Sequence, residues 1–176
     1  MRQFFTVLFV VALCTFSRAQ KTPKFEKTPI GNSGAYVYMP AKTEPAELTY
    51  SEDKSKVYTM NTEFDDYLYD VVFVELAEPL ESEAIAEGIL IEYIDYLKTV
   101  LETKECAGYG KGRTLSTHNG ARGVIDYCKD SDNYELQITG WVDKKYLAVL
   151  IITGEHQYPN PSVSDIFFKG IRFPGD

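Results

Sequence analysis

The stretch SEAIAEGILIEYIDYLKTVL, residues 82–101, decides the fold of this chain. Its apolar residues recur at intervals of three and four, which is the period of one face of an α-helix. They are Ile85, Ile89, Leu90, Ile94, Leu97, Val100 and Leu101. Ser82 is expected to cap the helix N-terminus, where the nearby acidic residues suit the positive end of the helix dipole. Because one apolar face needs a partner surface, the pattern predicts a long helix that covers a sheet.

Strand-like segments lie on both sides of this helix. The strongest is YLYDVVFVEL, residues 67–76, whose two faces are both largely apolar, as is typical of a central strand covered on each side. The other predicted elements are strands at 35–39, 46–51, 56–61, 108–116, 121–128, 134–142 and 146–152, a short helix at 163–168 and an extended end at 171–173. Ser162 or Ser164 is expected to cap the short helix. Tight turns join successive strands, so the sequence predicts an α+β fold with an antiparallel sheet.

The first 19 residues have the composition of a secretory signal peptide. Arg2 precedes the apolar run 4–13, and Ser17 and Ala19 place small side chains where a signal peptidase cleaves. An uncleaved membrane anchor and a lipoprotein signal at Cys14 stay open as alternatives, although the run is short for a membrane span and Leu13 is large for a lipoprotein site. We therefore expect cleavage near Ala19 and a periplasmic or extracellular location.

The rest of the chain is acidic and suits one domain. Residues 20–33 are expected to form a leader and residues 34–176 a single α+β domain with its own core. The signal peptide contains two of the 18 basic residues and none of the 26 acidic ones, so the mature chain has a net charge of −10. This charge argues against nucleic acid and against an anionic membrane surface as partners, because both would repel the protein.

Two cysteines remain in the mature chain, Cys106 and Cys128. Export to an oxidising compartment favours a disulfide between them, with two separate buried thiols as the alternative. A two-residue turn after His118 would place Cys128 opposite Lys111, whereas a wider loop centred near Thr117 would place the two cysteines opposite each other. A lone pair at this spacing does not predict a zinc site.

The order of these segments resembles that of the PsbP-like family. The resemblance rests on YVYMP at 36–40, the central helix, NGARG at 119–123, GWV at 140–142 with YLAVL at 146–150, and the closing DIFFKGIRF at 165–173. It covers about residues 34–173 and implies an α/β/α sandwich, in which helices cover both faces of an antiparallel sheet. Members such as the PsbP extrinsic subunit of photosystem II, the Ran-binding Mog protein and the bacterial lipoprotein DcrB are mostly binding or accessory proteins. The resemblance therefore implies such a role and transfers no catalytic residues.

Acidic residues cluster before and within the long strand: Glu63, Asp65, Asp66 and Asp70. If the strand alternates regularly, Asp66 and Asp70 share one face, and Tyr67 and Tyr69 point the other way. Paired carboxylates could act as acid and base on a glycan, or hold Ca²⁺. The alternative is a charged loop that keeps the strand end soluble.

Two other polar features are interpreted as structural. His118 and His156 lie in predicted loops without a nucleophile in a catalytic sequence context, so we expect solvated loop histidines. Residues 130–135 begin like an EF-hand loop but lack its glycine, and Trp141 stands where the bidentate acid would be. We therefore expect a polar hairpin turn there.

Tyrosine is frequent, with 13 residues in the chain. Those on the early strands could form an exposed aromatic face that stacks on sugars or anchors a partner, although tyrosine also suits half-buried strands. These are Tyr36, Tyr38, Tyr50, Tyr58, Tyr67 and Tyr69. All of them except Tyr50, together with Asp66 and Asp70, are the candidate binding residues.

The sequence contains no catalytic or cofactor signature. We therefore expect an exported, non-enzymatic domain that binds another protein or an envelope component through a sheet or loop surface, without cofactor or metal. One alternative is a small hydrolase or glycan-active enzyme that uses the carboxylates near Asp66, which would require them to line a cleft with raised pKa values. Another is a carrier of a small apolar ligand held between helix and sheet.

Overall fold

The computed structural model describes residues 22–155 and 157–176. The expected signal peptide, Cys14 and His156 lie outside these residues. The described elements are β1 (Glu26–Pro29), β2 (Tyr36–Met39), β3 (Glu47–Tyr50), β4 (Lys56–Phe64), β5 (Tyr67–Glu75), α1 (Glu83–Val100), β6 (Glu105–Cys106), β7 (Gly110–Thr114), β8 (Arg122–Lys129), β9 (Glu135–Val142), β10 (Tyr146–Gly154) and α2 (Pro161–Phe168). None of the helices in this part of the chain has the length and hydropathy needed to cross a membrane.

Eight strands form one antiparallel sheet. Its order is β3-β4-β5-β10-β9-β8-β6, and β7 also pairs with β8. The expected long strand is β5, which pairs with β4 on one side and β10 on the other. The predicted α+β class is confirmed as a mostly antiparallel sheet with two helices.

Strands β1 and β2 form a separate hairpin that the sequence only partly predicts. β1 lies inside the segment expected to be a leader and pairs with β2 along its whole length. Ile30, which follows β1, is fully buried in the same core cluster as Val37 and Met39 of β2. The end of the expected leader is therefore part of the folded structure.

The face of β5 toward α2 is buried as predicted, whereas its other face is only half-buried at Leu68, Asp70 and Val72. Tyr67, Tyr69, Val71 and Phe73 pack in a core with α2 and the β1–β2 hairpin. Side chains that point the other way, such as Val74 of β5 with Val149 of β10, pack in a second core beneath α1.

Helix α1 follows the predicted bounds closely, but its buried face is narrower than predicted. Ala86, Leu90 and Ile94 are buried, and the helix packs against β8 and β9. Ile85 and Val100, expected in the stripe, are 45% and 59% exposed. Ser82 occupies the N-cap position as predicted, but its side chain makes no capping hydrogen bond.

Helix α2 begins two residues before the predicted start. Asn160 is its N-cap, and its Oδ1 accepts a hydrogen bond from the Ser162 backbone N–H at 2.9 Å. The expectation of a serine cap was wrong because Pro161 suits the first helical position, which moves the cap to the residue before it. The Trp141 indole N–H donates to the Phe168 carbonyl at 2.7 Å and fixes the end of α2 on the sheet.

A disulfide joins Cys106 of β6 to Cys128 of β8 across the sheet edge, with 4.1 Å between the Cα atoms. The two-residue turn is not formed, because β7 and β8 close on a loop of residues 115–121 centred on His118. The register shifts by one residue between Gly110 and Arg113 and by one more between Gly110 and Cys106, which brings the cysteines opposite each other. The wider-loop alternative is thus the one that the structure adopts.

Replacement of the disulfide by Cys106→Ser with Cys128→Ala should lower the free energy of unfolding. The cross-link spans 22 positions, and loop-closure entropy puts the loss at about 3 kcal/mol. Urea unfolding of both forms measures it, and titration of free thiols in the oxidised protein checks that the bond forms. Two titratable thiols in that protein would contradict the bond.

Two glycines of the α1 layer should respond in opposite directions to alanine. A Cβ on Gly140 of β9 would lie 2.7 Å from Leu90 Cδ1 and 2.8 Å from Ile94 Cδ1, so Gly140→Ala should destabilise by about 1–3 kcal/mol. Gly88, inside α1 and exposed, has nothing within 4 Å of such a Cβ, so Gly88→Ala should stabilise by about 0.5–1 kcal/mol. Urea unfolding of both variants tests this, and destabilisation by Gly88→Ala would contradict the exposed position of that helix face.

Candidate functional site

A groove opens where α1 leaves the sheet uncovered. Because α1 lies over β8 and β9, the same face of β4 and β5 has only the C-terminal end of the helix beside it. The resulting cavity of about 420 Å³, called the α1–β5 groove below, is lined by Glu44, Pro45, Glu47, Thr59, Met60, Asn61, Leu68, Asp70, Val71, Val72, Leu97, Val100, Leu101 and Ile151. It combines apolar walls with a few polar groups, as ligand and partner sites commonly do.

Asp70 is the carboxylate inside this groove. Its strand register places it between Asn61 of β4 and Ile151 of β10, on the face opposite to Tyr69. The side chain is half-buried, and no donor or cation among the described residues contacts it. Burial raises the pKa of Asp70 to about 6 because the charged form loses hydration.

The charged residues that line the groove are all acidic. Of the described residues that line it, Glu44, Glu47 and Asp70 carry negative charge and none carries positive charge. The potential inside therefore favours a cationic group.

An exposed apolar strip on α1 continues from the groove. Val100 lines the groove and is 59% exposed, and Tyr96, one helical turn earlier on the same face, is 62% exposed. Ile85, three turns before Tyr96, is 45% exposed, but the exposed Gly88 and Glu92 separate it from Tyr96 on this face. The groove and this strip together form one surface larger than the cavity.

The two predicted candidate carboxylates are not brought together. Asp66 lies with Asp65 in the β4–β5 turn, where both have positive φ angles. It lines a different open cavity of about 550 Å³ with Glu63, Asp130 and Tyr134. Three residues of β5, Tyr67, Leu68 and Tyr69, lie between Asp66 and Asp70, so their Cα atoms are about 10–13 Å apart. The predicted strand also begins at Tyr67, so the regular alternation that would place Asp66 and Asp70 on one face does not extend to Asp66.

Most of the candidate tyrosines are structural. Tyr58, Tyr67 and Tyr69 are buried in the core with α2, so they form no exposed aromatic face. Tyr36 and Tyr38 are half-buried, with Lys27 Nζ 3.6 Å above the Tyr36 ring and the Arg172 guanidinium 5.9 Å above the Tyr38 ring. Tyr50 is 65% exposed on the edge strand β3.

His118 was expected to be a solvated loop histidine, but its ring lies between the carboxylates of Asp143 and Asp176. Its Nε2 lies 3.0 Å from Asp143 Oδ2 and its Nδ1 lies 2.6 Å from Asp176 Oδ1. Its ring also packs on Phe173. Both carboxylates in addition accept backbone N–H groups, Asp143 from Tyr146 and Asp176 from Phe173. The expectation was wrong because these partners are 25 and 58 positions away in the sequence.

Two further polar clusters are internally satisfied. Asp130 Oδ1 accepts the N–H groups of Asp132 and Tyr134, which makes residues 130–134 a hairpin turn as predicted. Asp126 lies within 4.8 Å of the two cysteine sulfurs, but the sulfurs are bonded to each other and Lys98 Nζ lies 2.6 Å from Asp126 Oδ2. This group therefore has no ligands to offer a metal while the disulfide is intact.

The comparisons with known proteins add no identification. No protein-family model matches the chain, and no curated protein matches it. The groove geometry is therefore the main ground for assigning a site.

Asp70→Asn should stabilise the protein at neutral pH. The carboxyl ionises near pH 3.8 in the unfolded chain and near pH 6 in the folded one, so ionisation opposes folding as pH rises through this window. The gain should be near zero at about pH 3.5 and reach at most about 3 kcal/mol above about pH 6.5. Urea unfolding at a series of pH values measures it.

Asp66→Asn is the matched control for this experiment. Asp66 is exposed in a turn with φ of 67°, which asparagine also adopts readily. Its replacement leaves Asp70 in place, so the gain with rising pH expected of Asp70→Asn should not appear. An equal gain from both variants, or a gain at Asp70 that does not depend on pH, would contradict the assigned burial of the Asp70 charge.

Proposed function

We propose that the chain is an exported, non-enzymatic binding domain that holds a segment of another protein in the α1–β5 groove. The observation that carries this proposal is the half-buried Asp70 carboxylate, which has no cation or donor within the described residues. A charge kept in an apolar groove at a cost to stability is typical of a recognition site. Export is inferred from the N-terminal pattern of Arg2, the apolar run 4–13 and Ala19.

The fold can also be classified more finely than α+β. We infer a PsbP-like α/β/α sandwich from the sequence resemblance over about residues 34–173. The placement of α1 beside β8 and β9, and of α2 beside β2 and β10, supports it. An accessory or binding role agrees with that family.

The partner segment should be apolar on its contact face and positively charged. The exposed Val100 and Tyr96 side chains extend the apolar surface beyond the cavity, which suits a polypeptide better than a compact ligand. The acidic lining and the acidic chain favour a basic partner. A carboxylate-dependent enzyme has less support, because Asp66 and Asp70 line different cavities.

Photo-cross-linking in the host tests this proposal. The affinity-tagged full chain would carry a photoreactive phenylalanine at Tyr96, which is exposed on the same helix face as Val100. We expect one protein adduct, joined through a segment that contains lysine or arginine among apolar residues. Val100→Arg should reduce its yield about tenfold, because it places a cation and a larger side chain in the groove.

Ile166→Arg is the matched control, since Ile166 is an apolar residue of α2 that is 48% exposed outside the groove. It should leave the adduct yield unchanged. Absence of a protein adduct, or equal yields with the two arginine variants, would overturn the proposal. Labelling of a small molecule alone would instead support a ligand carrier and also overturn it.

A further inference from the structure

Asp126 and Asp70 lie on the same face of the sheet, in one row across β8, β9, β10 and β5. Only Asp126 has a cation and a hydrogen-bond donor of the described chain beside it. Asp126 of β8 is fully buried, with Lys98 of α1 2.6 Å from its Oδ2 and the Gly108 backbone N–H donating to its Oδ1 at 2.9 Å. Asp70 of β5 has neither kind of contact within the described residues. On that side α1 presents Leu97, Val100 and Leu101.

The comparison with Asp126 shows that Asp70 lacks a compensating cation and a hydrogen-bond donor within the described residues. A buried carboxylate is stable when a cation and hydrogen-bond donors compensate its lost hydration, as Lys98 does for Asp126. The cavity at Asp70 has apolar walls, formed by Val72 and the helix leucines, that suit the methylene stem of a long cationic side chain. We therefore expect the cation that compensates the Asp70 charge to come from a partner side chain bound in the α1–β5 groove.

We propose that Asp70 is the recognition residue of the groove, that it binds the charged end of one partner lysine or arginine, and that loss of its charge on protonation releases the partner. This inference rests on the proposed function and names the chemistry and regulation of that site. The stem of the partner side chain would lie on Leu97 and Val72, with its nitrogen at the Asp70 carboxylate.

The charged groups around Asp70 agree with such a switch. Glu44 and Glu47 face the groove from the β3 side, β4 contributes the neutral Asn61, and β10 and α1 contribute only apolar lining residues. No basic residue of the described lining would hold Asp70 ionised in the empty groove. Burial raises the pKa of Asp70 to about 6, so neutralisation falls in mildly acidic conditions.

The test uses n-hexylammonium as the probe, because it carries one cationic nitrogen on an apolar stem, and hexan-1-ol as its neutral counterpart. Binding is followed on the full chain by shifts of backbone amide resonances in β5 and at the end of α1. At about pH 7.5 the ammonium should bind about tenfold more tightly than the alcohol, a gain typical of a partly buried ion pair. At about pH 5 its affinity should fall about tenfold, because roughly a tenth of Asp70 stays ionised.

Asp70→Asn should remove both the preference for the cation over the alcohol and the pH dependence of cation binding. Asp66→Asn, in the turn of the neighbouring cavity, should keep both. The carboxyl ¹³C resonance of Asp70 gives a direct readout, since its titration midpoint should move to lower pH when the ammonium saturates the groove.

The inference is overturned if the ammonium and the alcohol bind equally, or if Asp70→Asn binds the ammonium as tightly as the unmodified protein does. The results that would overturn the role of Asp70 differ from those that would overturn the proposed binding function. A protein adduct at Tyr96 that depends on Val100 but not on Asp70 would keep the binding domain and overturn the role of Asp70. Cation binding at Asp70 without any protein adduct would keep the site chemistry and overturn the protein partner.

Discussion

The width of helix α1 limits how much of its sheet face it can cover. A helix with side chains is about 10 Å wide, whereas the six strands from β3 to β8 span about 24 Å at about 4.8 Å for each spacing. Because α1 lies over β8 and β9, β4 and β5 extend past its edge on the same face. The α1–β5 groove is the consequence, and the loop before β3 adds Glu44 and Pro45 to its lining.

Incomplete cover by α1 leaves apolar side chains of the central strands partly exposed to water, which lowers the stability of the fold. β5 and β10 are apolar on both faces, so the face beneath α1 has side chains such as Leu68 and Val72 that remain half-buried at the groove. A fully apolar strand would gain stability from a leucine or valine at position 70, since Ile151 is the paired neighbour on β10 and Leu97 lines the same groove. An aspartate at this position sacrifices hydration of its charge and has no cation of the chain beside it. A charged residue at a position that favours an apolar one is expected at a functional site, where a bound partner supplies the cation that the chain does not.

Much of the fold could be predicted from local patterns, whereas the site could not. The 3.6-residue period of α1, the turns between strands and the two apolar faces of β5 are all properties of neighbouring residues. β1 was missed because EKTP has no apolar alternation and is a strand only through pairing with β2. Which face of β5 each residue joins was also predictable, but not that Tyr67 and Tyr69 would be covered by α2. The groove depends on the lateral position of α1, which long-range contacts decide.

Those contacts all lie on one flank of the helix. The Lys98–Asp126 ion pair ties α1 to β8, the Tyr109 hydroxyl donates to Asp95 at 2.6 Å, and the Gly112 N–H donates to Glu87 at 2.9 Å. The disulfide holds β6 on β8, close to where the chain leaves α1. Each of these polar contacts is directional and fixes the helix toward β8, whereas the contacts of Leu97 and Leu101 on the opposite flank are apolar and non-directional. The directional contacts of α1 are thus with β8, β7 and the residue before β7, and they favour its position over β8 and β9, which leaves Asp70 at the edge of the helix.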